Sequence, residues 1–592
     1  MAGRRRRSRR GARSAGPPAL APATDEETPT SAPSAAPWRR SLWFWLPLLV
    51  GLILRLIHLV TISDETVLRD VLVLDARLYS QMALAVTEGD WLIGKEPFEV
   101  GPLYAYVLAT IRFIAGTSTL AVFVIQACAG LASVALVTLL ARRFASAAGA
   151  CAAGLSFAAY APPLMLESKL LGETWAVLAL LVASFLVTAD RPRPALSGAA
   201  FGAACLFRPE LLVLLPLGAA WFFELAVAEV RSSDGPRQGL GAILKSKPVR
   251  DVCWWVGLGT LMVGLATARN LAVTGESVVV SAQGGVTFFQ GNNPRAEGTF
   301  SVPEGFSGDK ATQASESRAL AERAVGHGLD VAEVNAYWRS LAWDYLASDW
   351  TRSATLLARK LGYWLSSAEP SSEYVLLAER CLAPALRFAA VPFGLFLAGL
   401  LLGARRALAQ RRRQAILLLG VIAANLATAL AFFAVSRYRL VAAAHLAVFV
   451  GPAWDDLAER WATRKPSGLK LPLSALAVAA LSLIPWTEAE RYQGAIEFYN
   501  FGGELFQQHR FHDSTRYYLS AVKVRPQNRG IRYNLARAYA LTGDYDAAVR
   551  QLEKARELDP GSPQIAEYIE EYRRRSRESG SKPVIESPIC EL

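Results

Sequence analysis

The chain has 592 residues, of which 52% are hydrophobic and 19% charged, with a formal net charge of +12. This balance is typical of an integral membrane protein rather than a soluble enzyme. The positive charge does not indicate nucleic-acid binding, because no basic patch interleaved with aromatic residues accompanies it.

Residues 1–40 form a basic tail with nine Arg and three acidic residues, a local charge of +6. The tail is rich in Pro, Ala and Ser. No small-residue cleavage site follows the apolar run at residues 42–62, so the tail does not resemble a cleaved signal peptide. We predict a disordered cytoplasmic tail.

Apolar runs long enough to be membrane helices recur through residues 41–486. The loops expected inside the cell, among them residues 405–413, are basic, as the positive-inside rule requires. The pattern predicts a mainly α, polytopic bundle of about 11 spans in the cell (inner) membrane, with a cytoplasmic N-terminus. The runs lie near 42–62, 119–141, 144–163, 171–188, 195–207, 211–229, 252–268, 383–404, 414–434, 438–455 and 470–486.

Two long loops, residues 63–118 and 269–382, are expected on the outer, periplasmic side. Within the first, residues 102–116 are apolar but short and carry Arg112, which fits an interfacial helix better than a span. A second surface helix is predicted to begin near Asp75, because the apolar residues after it recur at helical spacing.

Residues 487–578 carry a repeat whose two copies end at Pro526 and Pro560, 34 residues apart. A period of 34 with small residues at fixed offsets is that of the tetratricopeptide repeat. The first copy departs at Ser514, where Ala is usual. The sequence predicts a small α-helical repeat domain on the outer side, followed by a tail at 579–592. Such a domain binds a peptide or protein partner, or only stabilises the enzyme or its oligomer.

Six cysteines are scattered along the chain without a CxxC or Cys/His spacing. They indicate buried small hydrophobic residues rather than a zinc site or a disulfide framework. His58 and His445 lie in spans, where packing or a local hydrogen bond is expected in place of metal ligation. We predict no metal site, and the need for a divalent metal stays open.

Asp75 is the acid that stands out among those of the outer loops. Leu78, Tyr79 and Met82 share one face of the helix that it begins. An acid at a helix start is also a good N-cap, worth about 1 kcal/mol, and this structural role is the alternative to catalysis.

The stretch "DARLYSQMALAVTEGDW", residues 75–91, resembles the first outer-loop motif of the membrane-embedded GT-C glycosyltransferases. The likeness is to the protein O-mannosyltransferase and aminoarabinose-transferase group, with Asp75, Tyr79 and the closing Gly-Asp-Trp in place. Further segments resemble the same family in order over roughly residues 40 to 460. They are "FEVGPLYAYVLA" with Glu99, "LLGETW" with Glu173, "GNNP" with Asn292 and Asn293, and "SRYR" with Arg437, Tyr438 and Arg439.

The resemblance implies an inverting transfer of a sugar from a polyprenyl phosphate to an acceptor hydroxyl of a protein, lipid or glycan. Asp75 would be the general base and Glu173 a second acid. Phosphate-binding candidates are Arg437, Tyr438, Arg439 and Arg208, since Arg grips phosphate oxygens in a fork. For these arginines the alternative is snorkelling to lipid headgroups.

Three candidate residues depend on the match more loosely. Glu99 precedes Val100-Gly101-Pro102 where the family often has Pro-Pro, which leaves its metal or phosphate role open. Asn292 and Asn293 either line the sugar or acceptor cleft or form a plain tight turn.

Two non-enzymatic functions compete with the glycosyltransferase. A transporter or flippase of lipid-linked glycans would show paired ionisable residues in mid-bilayer, across inverted repeats. A membrane scaffold built around the repeats would leave Asp75 and Glu173 freely replaceable. The partners expected for the enzyme are the polyprenyl-phosphate sugar, its acceptor, membrane lipid and a protein bound to the repeats.

Overall fold

The computed structural model describes residues 41–232, 247–306, 312–463, 470–483, 487–583 and 587–590. Within these ranges the chain forms 24 α-helices and no β-strand, which confirms the mainly α prediction. The predicted disordered tail, residues 1–40, lies outside them.

Nineteen of the helices precede the repeat region. They are α1 (Leu42–Asp64), α2 (Thr66–Asp70), α3 (Leu74–Thr87), α4 (Leu103–Ala115), α5 (Thr119–Ala141), α6 (Ala147–Ala158), α7 (Ala161–Leu166), α8 (Glu173–Val187), α9 (Pro194–Phe207), α10 (Leu215–Ser232), α11 (Lys247–Thr274), α12 (Gly284–Gly291), α13 (Gln313–Val325), α14 (Val331–Ser348), α15 (Trp350–Leu365), α16 (Leu376–Leu382), α17 (Phe393–Ala431), α18 (Ser436–Thr463) and α19 (Lys470–Ser482).

Five helices of the described chain, α1, α5, α11, α17 and α18, are long and apolar enough to cross a membrane. Helices α4, α6, α8 and α9 are apolar but shorter. The chain is therefore a helical membrane protein. The count of about 11 spans stays a prediction, although a helix coincides with each of the eleven apolar runs.

The prediction of a loop at residues 405–413 is wrong in extent. Helix α17 continues through this stretch, and only Arg411 leaves helical geometry, with φ −142° and ψ 69°. The physical reason is composition: the stretch consists of Ala, Arg, Leu and Gln, which all favour a helix. A kink at one residue thus separates the two apolar halves.

The two helices predicted in the first outer loop are present as α3 and α4, and they pack on each other. The rings of Tyr79 and Tyr104 meet edge to face with centroids 5.0 Å apart. Arg112 donates to the backbone oxygen of Ser80 at 2.8 Å. At the ends of the pair, Trp91 and Phe113 stack and stay more than half exposed. An exposed aromatic pair beside an apolar helix suits a membrane interface.

The repeat region consists of α20 (Thr487–Gln507), α21 (Phe511–Val524), α22 (Arg529–Thr542), α23 (Tyr545–Leu558) and α24 (Pro563–Ser579). Ser514, the departure from the repeat pattern, is fully buried and donates to the Gly502 carbonyl at 2.7 Å. A Cβ on Gly502 would lie 2.8 Å from the Tyr518 ring, so this position needs glycine. The serine therefore keeps the close helix contact and satisfies its hydroxyl.

The hydrophobic interior of the repeat region is divided. Phe498, Phe501 and Leu505 of α20 belong to the same buried cluster as the membrane helices. Leu535 and Leu552, in α22 and α23, belong to a separate cluster. Helix α20 is thus packed as part of the membrane domain, as are Tyr517 and Ala521 of α21 and Ile531 of α22, while other residues of the later helices form a separate core.

The expectation of no disulfide is wrong for Cys381 and Cys590, which form one across 209 residues of sequence. The other four cysteines are free. Two cysteines so far apart leave no spacing signal, and their pairing depends on the folded chain. Disulfides persist in oxidising compartments, so this bond agrees with an outer location for α16 and the repeat region.

Candidate active site

Arg437 stands at the centre of a buried charge cluster. Its Nη1 lies 2.7 Å from Glu373 Oε1 and 2.9 Å from Asp75 Oδ2. The Glu173 Oε1 atom lies 3.7 Å from the same nitrogen. All four side chains are buried. Three acids from distant parts of the sequence therefore share one guanidinium.

Helix ends bring these groups together. Asp75 is the second residue of α3 and Glu173 the first of α8, so both carboxylates lie in first turns, where the helix dipole favours negative charge. Arg437 is the second residue of α18, where the dipole of its own helix disfavours a cation. The negative charges of Asp75, Glu173 and Glu373 offset this unfavourable interaction with the helix dipole.

The N-cap explanation of Asp75 is wrong. The N-cap of α3 is Val73, and no side chain caps that end. Leu74, the residue before Asp75, has φ +48°, a left-handed backbone conformation that costs a leucine about 1–2 kcal/mol. Strained backbone of this kind clusters at functional sites. Asp75 is thus placed toward Arg437 by a strained turn and not used as a cap.

The surroundings of Glu373 shift its pKa upward. Burial raises the pKa of Glu373 well above its ordinary value, the Asp75 and Glu173 carboxylates raise it further, and Arg437 opposes them. A protonated Glu373 reduces the repulsion among three clustered carboxyl groups. It also provides a hydrogen-bond donor toward Asp75.

A second arginine lies beside the first. Arg208 Nη1 lies 2.5 Å from Glu173 Oε1, and Arg208 Nη2 lies 2.6 Å from Glu210 Oε1. The Arg208 guanidinium is 4.4 Å from the centre of the Tyr438 ring, and that of Arg437 is 5.3 Å from it. Both guanidinium groups thus lie within cation–π distance of the Tyr438 ring, in one corner of the site.

This corner opens into a cavity of about 320 Å³. Glu99 lies in its wall and accepts a hydrogen bond from Gln283 Nε2 at 2.7 Å. A Cβ on Gly101 would lie 2.3 Å from the Phe207 carbonyl oxygen, which explains why glycine stands where proline is common in the resembling family. Lining residues with polar side chains are Asp75, Tyr79, Glu99, Arg208, Glu210, Ser281, Gln283, Thr287, Thr428, Arg437 and Tyr438.

A narrower apolar crevice starts from the same two arginines. Its lining includes Arg208, Arg437 and Tyr438 at one end. The rest is largely aliphatic and comes from α8, the turn after α9, α17 and α18: Ala176, Val177, Leu211, Val213, Leu214, Val421 and Val441. A ligand with a polar head group and an apolar tail could bind here, with the head group against the arginines and the tail along the aliphatic residues.

Three predicted site residues lie away from the cavity. Arg439 is buried against Glu369 at 2.6 Å and donates to the carbonyls that end α15, including that of Ser366 at 2.6 Å. Asn292 donates to the carbonyls of Phe288 and Ala431, and Asn293 to those of Phe289 and Gln290. Such contacts match the tight-turn alternative for the asparagines and a supporting role for Arg439.

The sequence left two buried groups unnoticed. Glu373 lies between α15 and α16 in "EPSSEYV", which has no helical or strand periodicity to mark it. Lys360 is fully buried in α15, donates to Asn292 Oδ1 at 2.8 Å, and burial lowers its pKa to about 7. Both residues pair with elements more than 60 positions away, so no local pattern could reveal them.

Other buried polar groups of the membrane part form local pairs. Arg55 in α1 binds Glu167 at 2.5 Å. His58 hydrogen-bonds Ser168, and His445 hydrogen-bonds Ser184, both at 3.0 Å, as expected in place of metal ligation. Over the described part of the chain, no group of three His, Cys, Asp or Glu side chains is arranged to hold a metal ion.

Comparison with known proteins supports the repeat prediction directly. A tetratricopeptide-repeat family model matches residues 499–563, which confirms that prediction for the C-terminal region. A search of curated proteins found no match.

Among solved structures, the chain matches forms of an oligosaccharyltransferase from Archaeoglobus fulgidus. The apo form has a TM-score of 0.38 and 16% identity, covering 77% of this chain and 56% of that one. The form tethered to an acceptor peptide with the NVT sequon has a TM-score of 0.37 and 17% identity, and the match covers 77% of this chain and 56% of that one. The complex of the enzyme, AglB, with an inhibitory peptide and a dolichol-phosphate has a TM-score of 0.34 and 16% identity. The match covers 78% of this chain and 58% of that one. The chain thus spans a little over half the length of these proteins.

Proposed function

We propose that this protein is a membrane glycosyltransferase that moves a sugar from a polyprenyl-phosphate donor to an acceptor hydroxyl on the periplasmic face. The observation that carries the proposal is the Asp75–Arg437 pair in the cavity wall, with 2.9 Å between Oδ2 and Nη1. It places an acid that can take a proton beside a cation that can hold a phosphate.

The proposed reaction is a single displacement. The acceptor oxygen bonds to the anomeric carbon while the bond from that carbon to the phosphate oxygen breaks. Asp75 accepts the proton of the acceptor hydroxyl, and the electron pair of the broken bond leaves with the lipid phosphate. The configuration of the anomeric carbon is inverted. Glu173 acts by holding Arg208, to which it lies within 2.5 Å.

Arg208 and Arg437 are the proposed phosphate-binding residues. Charge-assisted hydrogen bonds to arginine suit a phosphate that gains charge as the sugar departs. Arg437 Nε is buried and has no hydrogen-bond partner within the described residues. The aliphatic crevice that leaves this corner suits the isoprenoid chain of the donor.

Protein, lipid and glycan all fit the acceptor role, and the repeat region favours a protein. Glu99 and Gln283 line the cavity but not the crevice, which supports a part in sugar or acceptor binding. We assign no metal ion to the reaction.

The experiment is a transfer assay with the purified full-length protein in lipid nanodiscs. A panel of radiolabelled polyprenyl-phosphate hexoses and pentoses is offered with an extract of host envelope proteins, lipids and glycans. The proposal expects label to move from at least one donor to an acceptor. Movement of intact donor across the bilayer of proteoliposomes, without transfer, would instead support the flippase alternative.

A further inference from the structure

Helix α20, the first helix of the repeat region, lies against the segment that carries Glu373. This segment, residues 366–375, has no regular secondary structure, and its backbone is largely buried. Buried N–H groups need partners, and a segment without helix or strand cannot supply them itself. Side chains of α20 do so.

Three residues of α20 accept these backbone hydrogen bonds. Glu490 accepts from the Glu369 N–H, Gln493 from the Ser371 N–H at 2.7 Å, and Glu497 from the Val375 N–H at 2.7 Å. The three acceptors are spaced by three and four residues, so they lie on one helix face. Gln493 and Glu497 are 7% and 1% exposed, so the contact is shielded from water.

The same segment also contacts the start of α18. Ser436 donates its N–H to the Pro370 carbonyl at 2.6 Å and its hydroxyl to Glu369 Oε2 at 2.6 Å. Arg437 is the next residue. The segment that α20 holds therefore contains Glu373 and also hydrogen-bonds Ser436, the residue before Arg437.

Helix α20 reaches the other side of the site as well. Glu504 forms a salt bridge with Arg77, which follows Asp75 by two residues in α3. The disulfide from Cys590 ties the end of the described chain to Cys381 in α16, directly after the held segment. Ser520 of α21 accepts from the Cys590 N–H at 3.2 Å. The repeat region is thus attached to α3 and α16 as well as to residues 366–375.

From these contacts we propose that α20 is a positioning element of the active site. Gln493 and Glu497 hold residues 366–375 so that Glu373 lies against Arg437 and Asp75. The inference rests on the proposed function, because it gives Glu373 a purpose in orienting the base. It assigns the repeat region a part in turnover in addition to any partner that it binds.

The first test is independent of enzyme activity. Hydrogen exchange of the wild-type protein should show the Ser371 and Val375 amides protected as strongly as buried amides of α20. Gln493→Ala should speed exchange at Ser371, and Glu497→Ala at Val375, each about tenfold or more, since each removes one acceptor. Arg491→Ala, on the exposed face of the same helix, is the matched control and should change neither amide.

The second test uses transfer rates. Both alanine variants should lower kcat by about ten- to a hundredfold, because a small misplacement of reacting groups has effects of that size. The donor KM should change less than kcat, since Arg208 and Tyr438 stay in place. Glu497→Gln should restore most of kcat: it keeps the accepting oxygen, and burial beside Glu379 raises the pKa of Glu497 well above its ordinary value.

The outcomes separate the two proposals. Rapid exchange of these amides in the wild-type protein, which needs no variant to fold, would overturn the positioning role. So would variants whose amides exchange faster while kcat stays at the wild-type level. A wild-type protein that transfers no sugar at all would refute the proposed function, whereas the exchange data would still show whether α20 holds the segment.

Discussion

The guanidinium of Arg437 lies 2.9 Å from the carboxylate of Asp75, although 362 residues separate them in sequence. Each residue lies in the first turn of a different helix, and both line the same cavity. A salt bridge that is only structural would not require a cavity of about 320 Å³ beside it. The position of this pair leads to the following expectations.

Arg437→Lys should weaken donor binding. Lysine keeps the charge but loses the two-pronged grip on phosphate oxygens. A charge-assisted hydrogen bond is worth roughly 1.5–3 kcal/mol, so the apparent donor constant should rise about ten- to a hundredfold. Initial rates against donor concentration at fixed acceptor measure this. Arg439→Lys is the control, and an equal effect of both changes would mean that Arg437 has no special part in donor binding.

Stability should depend on pH through the acids of the α20 contact. Burial is the main cause that raises the pKa of Glu490 to about 7, so the folded state holds a proton that the unfolded chain releases near pH 4. This contribution to stability is complete below about pH 4 and is lost as the pH rises to 7. The wild-type Tm should therefore fall between pH 5 and 7.5.

Glu490→Gln isolates that contribution. The amide keeps an accepting oxygen for the Glu369 N–H but cannot ionise. Its Tm should fall less over the same pH range than that of the wild-type protein, measured by intrinsic fluorescence in detergent. Parallel curves for the two proteins would refute the assignment.

The Cys381–Cys590 disulfide predicts a thiol count. Of six cysteines, four are free in the structure, so four should react with a maleimide reagent after denaturation without reductant, and six after reduction. Cys590→Ser should lower the unfolding free energy by about 2–4 kcal/mol, because the open chain gains conformational entropy on unfolding. Six reactive thiols in unreduced protein from cells would contradict both the bond and the outer location that it supports.

The first outer loop predicts a labelling pattern in whole cells. Thr66 and Thr117 flank α3 and α4 and are exposed. Thr66→Cys and Thr117→Cys should both react with an impermeant thiol reagent added from outside, above the background of the parent chain. Reaction of the first but not the second would mean that α4 crosses the bilayer.

Much of this architecture could be predicted from composition. Apolar runs and repeat spacing depend on local sequence, and helices coincide with each of them. Asp75 and Arg437 were each singled out by matching motifs and not by periodicity, and their direct contact was not predicted. Glu373 and the Cys381–Cys590 bond could not be predicted, since each depends on how distant segments meet. The helical continuation through residues 405–413 was missed because the basic charge of the stretch indicated a loop, although its residues are good helix formers.

The most direct test of the account is turnover by Asp75→Asn. Asparagine keeps the size of the side chain but cannot accept the acceptor's proton, and loss of a general base typically lowers the rate about 100-fold or more. Asp64→Asn, an exposed acid at the end of α1, is the matched control and should transfer sugar like the wild-type protein. The account predicts that purified, folded Asp75→Asn transfers sugar at least about 100-fold more slowly than wild type. Wild-type turnover by that variant would contradict the assignment of Asp75 as the base.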